Sequence, residues 1–260
     1  MIRPENTLPA PRIDLFVLLL SGMTLWAVPL HGQINRYGAS LPGAIVTLPV
    51  DNHWFVTGMT FGASRHLTIP EDLENLHAYT DILLWEGHLE GGRSVNHWLK
   101  AGIGATLRTY NPFELTARHE WRTYLFAVAS QPVWKWTLTH RMWWEERWIQ
   151  NRYRENYDYS YRPRYRINPA FPLSIGKEVK PLYINTYIEG LWSIAPKFDR
   201  FYGQEYRYYA GLGYKFKSRF KAEIAGEFRD IYWKGDHTQY GIGRLTLIYT
   251  FPALKKMSGS

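Results

Sequence analysis

Arg162, Arg164 and Arg166 stand two apart in the run YRPRYRIN, and Arg141 lies in the segment before them. Residues two apart share one face of an extended strand. The spacing therefore makes a row of guanidinium forks, a surface that suits a small anion. Other chemistry is thinner. His140 sits on the apolar side of 133–147. A lipid-hydrolysing site there needs a hydroxyl at matching height on 119–130; Thr123 is the nearest, and no serine fits. Asp236 and His237 in GDHT resemble part of an acid–imidazole site that Glu71 and Asp72 would complete, but the same residues make an ordinary polar turn. The 9 His show no metal-ligand spacing, and 0 Cys excludes disulfides and Cys-ligated metals. Gly211-Leu212-Gly213 lacks the rest of a dinucleotide fingerprint and falls inside a strand pattern, where a small residue admits a bulky interior neighbour. No catalytic residue, metal or cofactor is assigned, and the expectation is a non-enzymatic protein.

The elements that position these side chains follow from a period of two. In Tyr206–Phe216 the positions Tyr206, Tyr208, Ala210, Leu212, Tyr214 and Phe216 alternate with Arg207, Tyr209, Gly211, Gly213 and Lys215. In Phe220–Phe228 the positions Phe220, Ala222, Ile224, Gly226 and Phe228 alternate with Lys221, Glu223, Ala225 and Glu227. Such alternation marks strands with unlike faces, and the short gap around Ser218 makes the two runs a hairpin. The same pattern predicts strands near 53–64, 77–87, 95–109, 119–130, 133–147, 156–167, 181–193, 204–216, 220–233 and 240–251, with a partial strand at 41–49. Connections alternate short and long, except that 168–180 is long where a short turn is due.

Composition sets limits on partners and compartment. Net charge is +8, aromatics make up 17 %, and basic residues are scattered rather than clustered, which argues against nucleic acid. Leu15–Leu30 is apolar and follows Arg3 and Arg12. It is short for a helix crossing about 30 Å of hydrocarbon and reads as a signal peptide spanning 1–32, with a retained anchor as the alternative. The barrel then covers 33–251 and a short polar tail 252–260.

Alternating faces can be buried in two ways. A soluble barrel turns its apolar face inward; a membrane barrel turns it to lipid and lines its interior with polar groups. Trp134, Trp144, Tyr157, Tyr206, Tyr249 and Phe251 form an expected aromatic belt at the ends of the apolar faces. Strand length and alternating connections agree with a membrane barrel. The expected fold is all-β, a single antiparallel transmembrane β-barrel. With both chain ends on one side, the strand number is even: about ten, or twelve with one more hairpin. Antiparallel folding brings Arg108, Glu120, Arg122, Arg141, Arg164, Glu189, Arg207, Glu227 and Arg244 into one interior belt, joined by Arg162 and Arg166. That belt either fills the interior with paired charges or forms a constriction for small anions.

The runs RPRYRINPAFPL at 162–173, PLYINTYIEGLW at 181–192 and FDRFYGQEYRYYAGLGYKF at 198–216, with the closing strand 240–251, resemble the domain of unknown function 2490 family of bacterial outer-membrane proteins. The resemblance covers about 119–251 and implies a small porin-like barrel without supplying catalytic residues. Leu245, Leu247, Tyr249 and Phe251 resemble the terminal targeting signal of bacterial barrels, although PALKKMSGS follows here. The implied partners are outer-membrane lipids, the barrel-assembly machinery during insertion, and small anionic solutes. Two other classes remain open at this stage: a barrel enzyme acting on lipid or surface peptide, and a soluble periplasmic ligand-binding barrel.

Overall fold

A computed structural model describes residues 34–69, 77–114, 117–150, 156–175, 178–194, 201–217, 219–233 and 236–253. The segment 1–32, Glu71, Asp72 and most of the 252–260 tail lie outside the described residues. The alternating runs become eleven strands: β1 Ile34–Pro49, β2 Trp54–Ile69, β3 His77–Ser94, β4 Leu99–Tyr110, β5 Arg118–Val133, β6 Trp136–Gln150, β7 Tyr157–Ile175, β8 Glu178–Ile194, β9 Phe201–Lys217, β10 Phe220–Trp233 and β11 Asp236–Thr250. Each pairs antiparallel with its sequence neighbour, and β1 closes on β11 to complete a barrel.

The closing pair is parallel, with Ile34 opposite His237 and Thr47 opposite Thr250. This corrects both the even strand number and the purely antiparallel sheet. The partial strand at 41–49 is a full strand from Ile34, and adding one strand to ten forces a parallel seam. The unread part, 34–40 (INRYGAS), has little apolar alternation to mark it as strand. Pro42 lies in a gap of the β1–β2 ladder, between Ser40↔Ser64 and Gly43↔Phe61, across which the register is unchanged. A consequence is that β1 begins at the end of the barrel opposite to where β11 finishes. The predicted long connection at 168–180 is also corrected. β7 runs to Ile175 and β8 starts at Glu178, which restores a short turn there.

The short turns share one end of the barrel, apart from the two-residue link between β10 and β11 at the other. Two are built alike: Asp51 Oδ1 accepts the backbone N–H of His53 at 2.6 Å and Trp54 at 2.7 Å, and Asn96 Oδ1 accepts those of Trp98 at 3.0 Å and Leu99 at 2.8 Å. Asp and Asn favour turns through such bonds. Between β5 and β6, Trp134 takes a left-handed backbone with φ 53° at the tip of a two-residue turn. Side chains alternate through the wall. On β5 the inward Glu120, Arg122, Tyr124 and Phe126 are buried, while Trp121 and Leu125 are exposed. Gly213 faces inward, and a Cβ there would overlap the Tyr183 ring, so glycine makes room for an interior tyrosine as its sequence context implies.

Candidate functional site: the charged interior

The inner wall carries a connected network of ionised side chains. Glu120, 0 % exposed, accepts from Arg122 Nε at 2.6 Å, Arg147 Nε at 2.7 Å and the Tyr110 hydroxyl at 2.6 Å. Glu145 accepts from Arg162 Nε at 2.6 Å and from Arg164 Nη1. Glu189, also 0 % exposed, lies within 2.8 Å of Arg164 Nη2, 3.2 Å of Arg166 Nη2 and 3.5 Å of Arg207 Nη1. Arg207 Nε donates to Glu205 at 2.6 Å. Glu227 accepts from Arg229, Arg244 and the Tyr187 hydroxyl. Glu86 holds Arg108 and lies 3.4 Å from Arg122 Nη1; Glu90 holds Arg141 and the Tyr124 hydroxyl. Glu223 differs, because its partners are Tyr183, Tyr209 and Asn185 rather than a guanidinium.

This multiplicity has a physical reason. An ion taken out of water is costly unless several partners satisfy it, so each of these carboxylates except Glu205 recruits two or three donors. Aromatic rings supply the rest. The Arg141 and Arg164 guanidiniums lie 4.2 Å and 4.5 Å from the Trp143 ring centre, and Arg166 lies 4.0 Å from that of Tyr187. In this central network ten Arg face eight Glu, an excess of two positive charges.

All the predicted belt residues point into this interior: Arg108, Glu120, Arg122, Arg141, Arg162, Arg164, Arg166, Glu189, Arg207, Glu227 and Arg244. They do not share one ladder row. Arg166, Glu189 and Arg207 are directly opposite one another, whereas Arg244 faces Ala225 and reaches Glu227 diagonally. Tilted strands carry a level belt across successive rows. Sequence reasoning missed Glu86, Glu90, Trp143, Glu145, Arg147, Glu205 and Arg229. Parity was the available signal for several: Trp143, Glu145 and Arg147 follow Arg141 by even steps. Glu90 was lost because the strand was ended at 87, whereas β3 continues to Ser94.

The expected aromatic belt is spread more widely. Trp134 is 86 % exposed at its turn, Tyr157 starts β7, and Tyr206 lies near the start of β9. Tyr249 and Phe251 meet edge to face at 4.8 Å at the end of β11. Trp144 departs from the expectation: it is exposed in the middle of β6, opposite Leu125 and Pro163. His140 is outward and bonds the Tyr165 hydroxyl at 2.6 Å, not Thr123. The acidic partner of His237 is Asp230 across the hairpin, at 2.6 Å, rather than the adjacent Asp236. Inside, Thr106 Oγ1 lies 2.8 Å from His88 Nδ1, and His88 Nε2 lies 2.5 Å from Glu86. That hydroxyl–imidazole–carboxylate chain is buried, and Glu86 is shared with two arginines. Among the described residues, no group of three or more His, Asp or Glu is placed to hold a metal ion.

The outer wall is the reverse of the inner one. Ile103, Leu125 and Ile224 are 64 %, 61 % and 67 % exposed. Apolar side chains fill the outer wall from the short-turn end through its middle. Towards the other end it turns polar, with His119, Glu146, Asp230, His237 and Gln239.

Closed sheet, ionised interior and greasy exterior together define a β-barrel whose polarity is inside out relative to a water-soluble globule. The chain belongs to the family described as Protein of unknown function (DUF2490), which matches residues 77–238, from the start of β3 into β11. No curated protein and no solved structure matches it.

Proposed function

We propose that this protein is a non-enzymatic barrel of a bacterial outer membrane, with its exposed apolar wall against lipid and its interior forming a narrow, charged passage for small solutes, anions among them. The observation that carries this reading is the outer wall itself. A continuous band of exposed Leu, Ile, Val and aromatic side chains is far larger than a water-soluble monomer tolerates. Strand length agrees. The 15 residues of β11 rise about 50 Å along the strand and about 38 Å along a barrel axis tilted by ~40°. That exceeds the ~25 Å apolar band of outer-membrane barrels, so one end projects into water. The polar outer surface near His237 and Asp230 suits that projecting end, which puts the opposite end, with the turns at 50–53 and 95–98, on the periplasmic side. Membrane lipids and the barrel-assembly machinery are the corresponding partners.

The test is twofold. Vesicle flotation and heat-modifiable gel migration are expected to show a lipid-inserted, folded barrel; a monodisperse protein without detergent would instead indicate a soluble ligand-binding barrel. In planar bilayers, small conductance steps with anion preference are expected, and Arg164→Ala is expected to reduce that preference. Silent bilayers would leave an envelope protein without a pore. Lipid and peptide hydrolysis assays are expected to show no turnover.

A further inference from the structure

A cavity of about 190 Å³ lies at the centre of the interior, room for about six waters at ~30 Å³ each. Its lining is one-sided in charge. Eight Arg reach it but only three Glu, namely Glu86, Glu90 and Glu145. These three are already engaged by Arg108, Arg141, Arg162 and Arg164. The carboxylates that hold most of the remaining arginines, such as Glu120, Glu189 and Glu227, sit behind them in the wall. Guanidinium edges therefore face the space and carboxylates recede from it.

The arginines around the cavity also carry unpaired nitrogens. Among the described residues, Arg122 Nη2, Arg141 Nε, Arg166 Nε and Arg244 Nε are buried without a hydrogen-bond partner; all four residues line the cavity, while these particular atoms lie just beneath its surface. Arg122 is only 2 % exposed. A buried cationic donor left unsatisfied is costly. We infer that the cavity is a binding site for one small doubly charged oxyanion of the phosphate or sulfate type, held by the forks of Arg122, Arg141, Arg166 and Arg244. The rings beneath the forks restrict their motion: Arg141 stacks on Trp143, Arg166 on Tyr187, and Arg244 lies 5.3 Å from the Tyr209 ring centre. Fixed guanidinium forks favour tetrahedral, multiply charged anions over chloride.

This inference deepens the reading of the interior as an anion passage but rests only on its closed, charged interior, so the two can fail separately. The full chain, folded in detergent, is titrated with sodium phosphate, sulfate and chloride at constant ionic strength, by calorimetry and by the midpoint of thermal unfolding. Phosphate and sulfate are expected to bind saturably at one per barrel and raise the midpoint, with chloride inert. Arg141→Gln and Arg244→Gln are each expected to weaken phosphate at least tenfold, while Lys100→Gln, which is outside the cavity lining, leaves it unchanged. Chloride acting as well as phosphate, no saturable binding, or wild-type affinity in both Arg variants overturns the site. If the variants fail to fold, the anion series on the wild-type protein decides alone. Saturable binding without conductance keeps the site and removes the pore; anion-selective conductance without saturable binding does the opposite.

Discussion

The inner and outer walls of this barrel are made from the same strands, yet they obey opposite rules. On β5, Glu120 is fully buried and Leu125, five residues on, is 61 % exposed. On β10, Glu227 is 2 % exposed and Ile224 is 67 % exposed. The inner wall is specific, because each ion requires named partners at hydrogen-bond distance. Most of the outer wall needs only to be apolar, apart from a few bonded pairs such as His140 with Tyr165 and His237 with Asp230. Substitutions should therefore be judged by wall rather than by strand or residue type.

The largest effect is expected inside. Glu189→Ala leaves Arg164, Arg166 and Arg207 without their shared carboxylate. Breaking a buried pair this way costs about 3–5 kcal/mol, which urea unfolding in lipid vesicles would register as a large loss of midpoint; an unchanged midpoint would mean that water reaches the network. Ile224→Arg tests the outer wall. At mid-bilayer an exposed arginine costs about 2–4 kcal/mol, whereas on a water-facing surface it would be neutral. Comparing the same variant in vesicles and in detergent of varied headgroup sharpens the contrast. A smaller change belongs to the rim. Asn96→Ala removes the acceptor for two backbone N–H groups and is expected to lower stability by about 1 kcal/mol, measurable as a modest shift in the heat-modification temperature.

The two walls were legible to different degrees. Period-two runs such as 204–216 and 220–228 announced both faces, and the inward and outward sets there are the ones observed. The strand at 34–49 was read only from 41, because INRYGAS has little apolar alternation, and the β7–β8 turn was hidden by Asn168, Pro169 and Pro172, because local propensity penalises residues that a closed sheet tolerates. Glu90 was missed for a related reason: a strand cut short at its glycines loses the side chains beyond the cut. The pairing of Asp230 with His237 could not be read from neighbours in the chain, since it depends on hairpin register.

What the chain fixes by itself is the alternation, since extended backbone sends successive side chains to opposite faces whatever their neighbours. With it come the all-β class, the membership of each wall and the excess of Arg over Glu inside. Closure was decided only in three dimensions. Eleven strands, the parallel seam between β1 and β11, and the diagonal contacts from Arg244 to Glu227 and from Arg164 to both Glu145 and Glu189 depend on tilt and register. These are properties of a sheet meeting its own edge, and no single strand contains them.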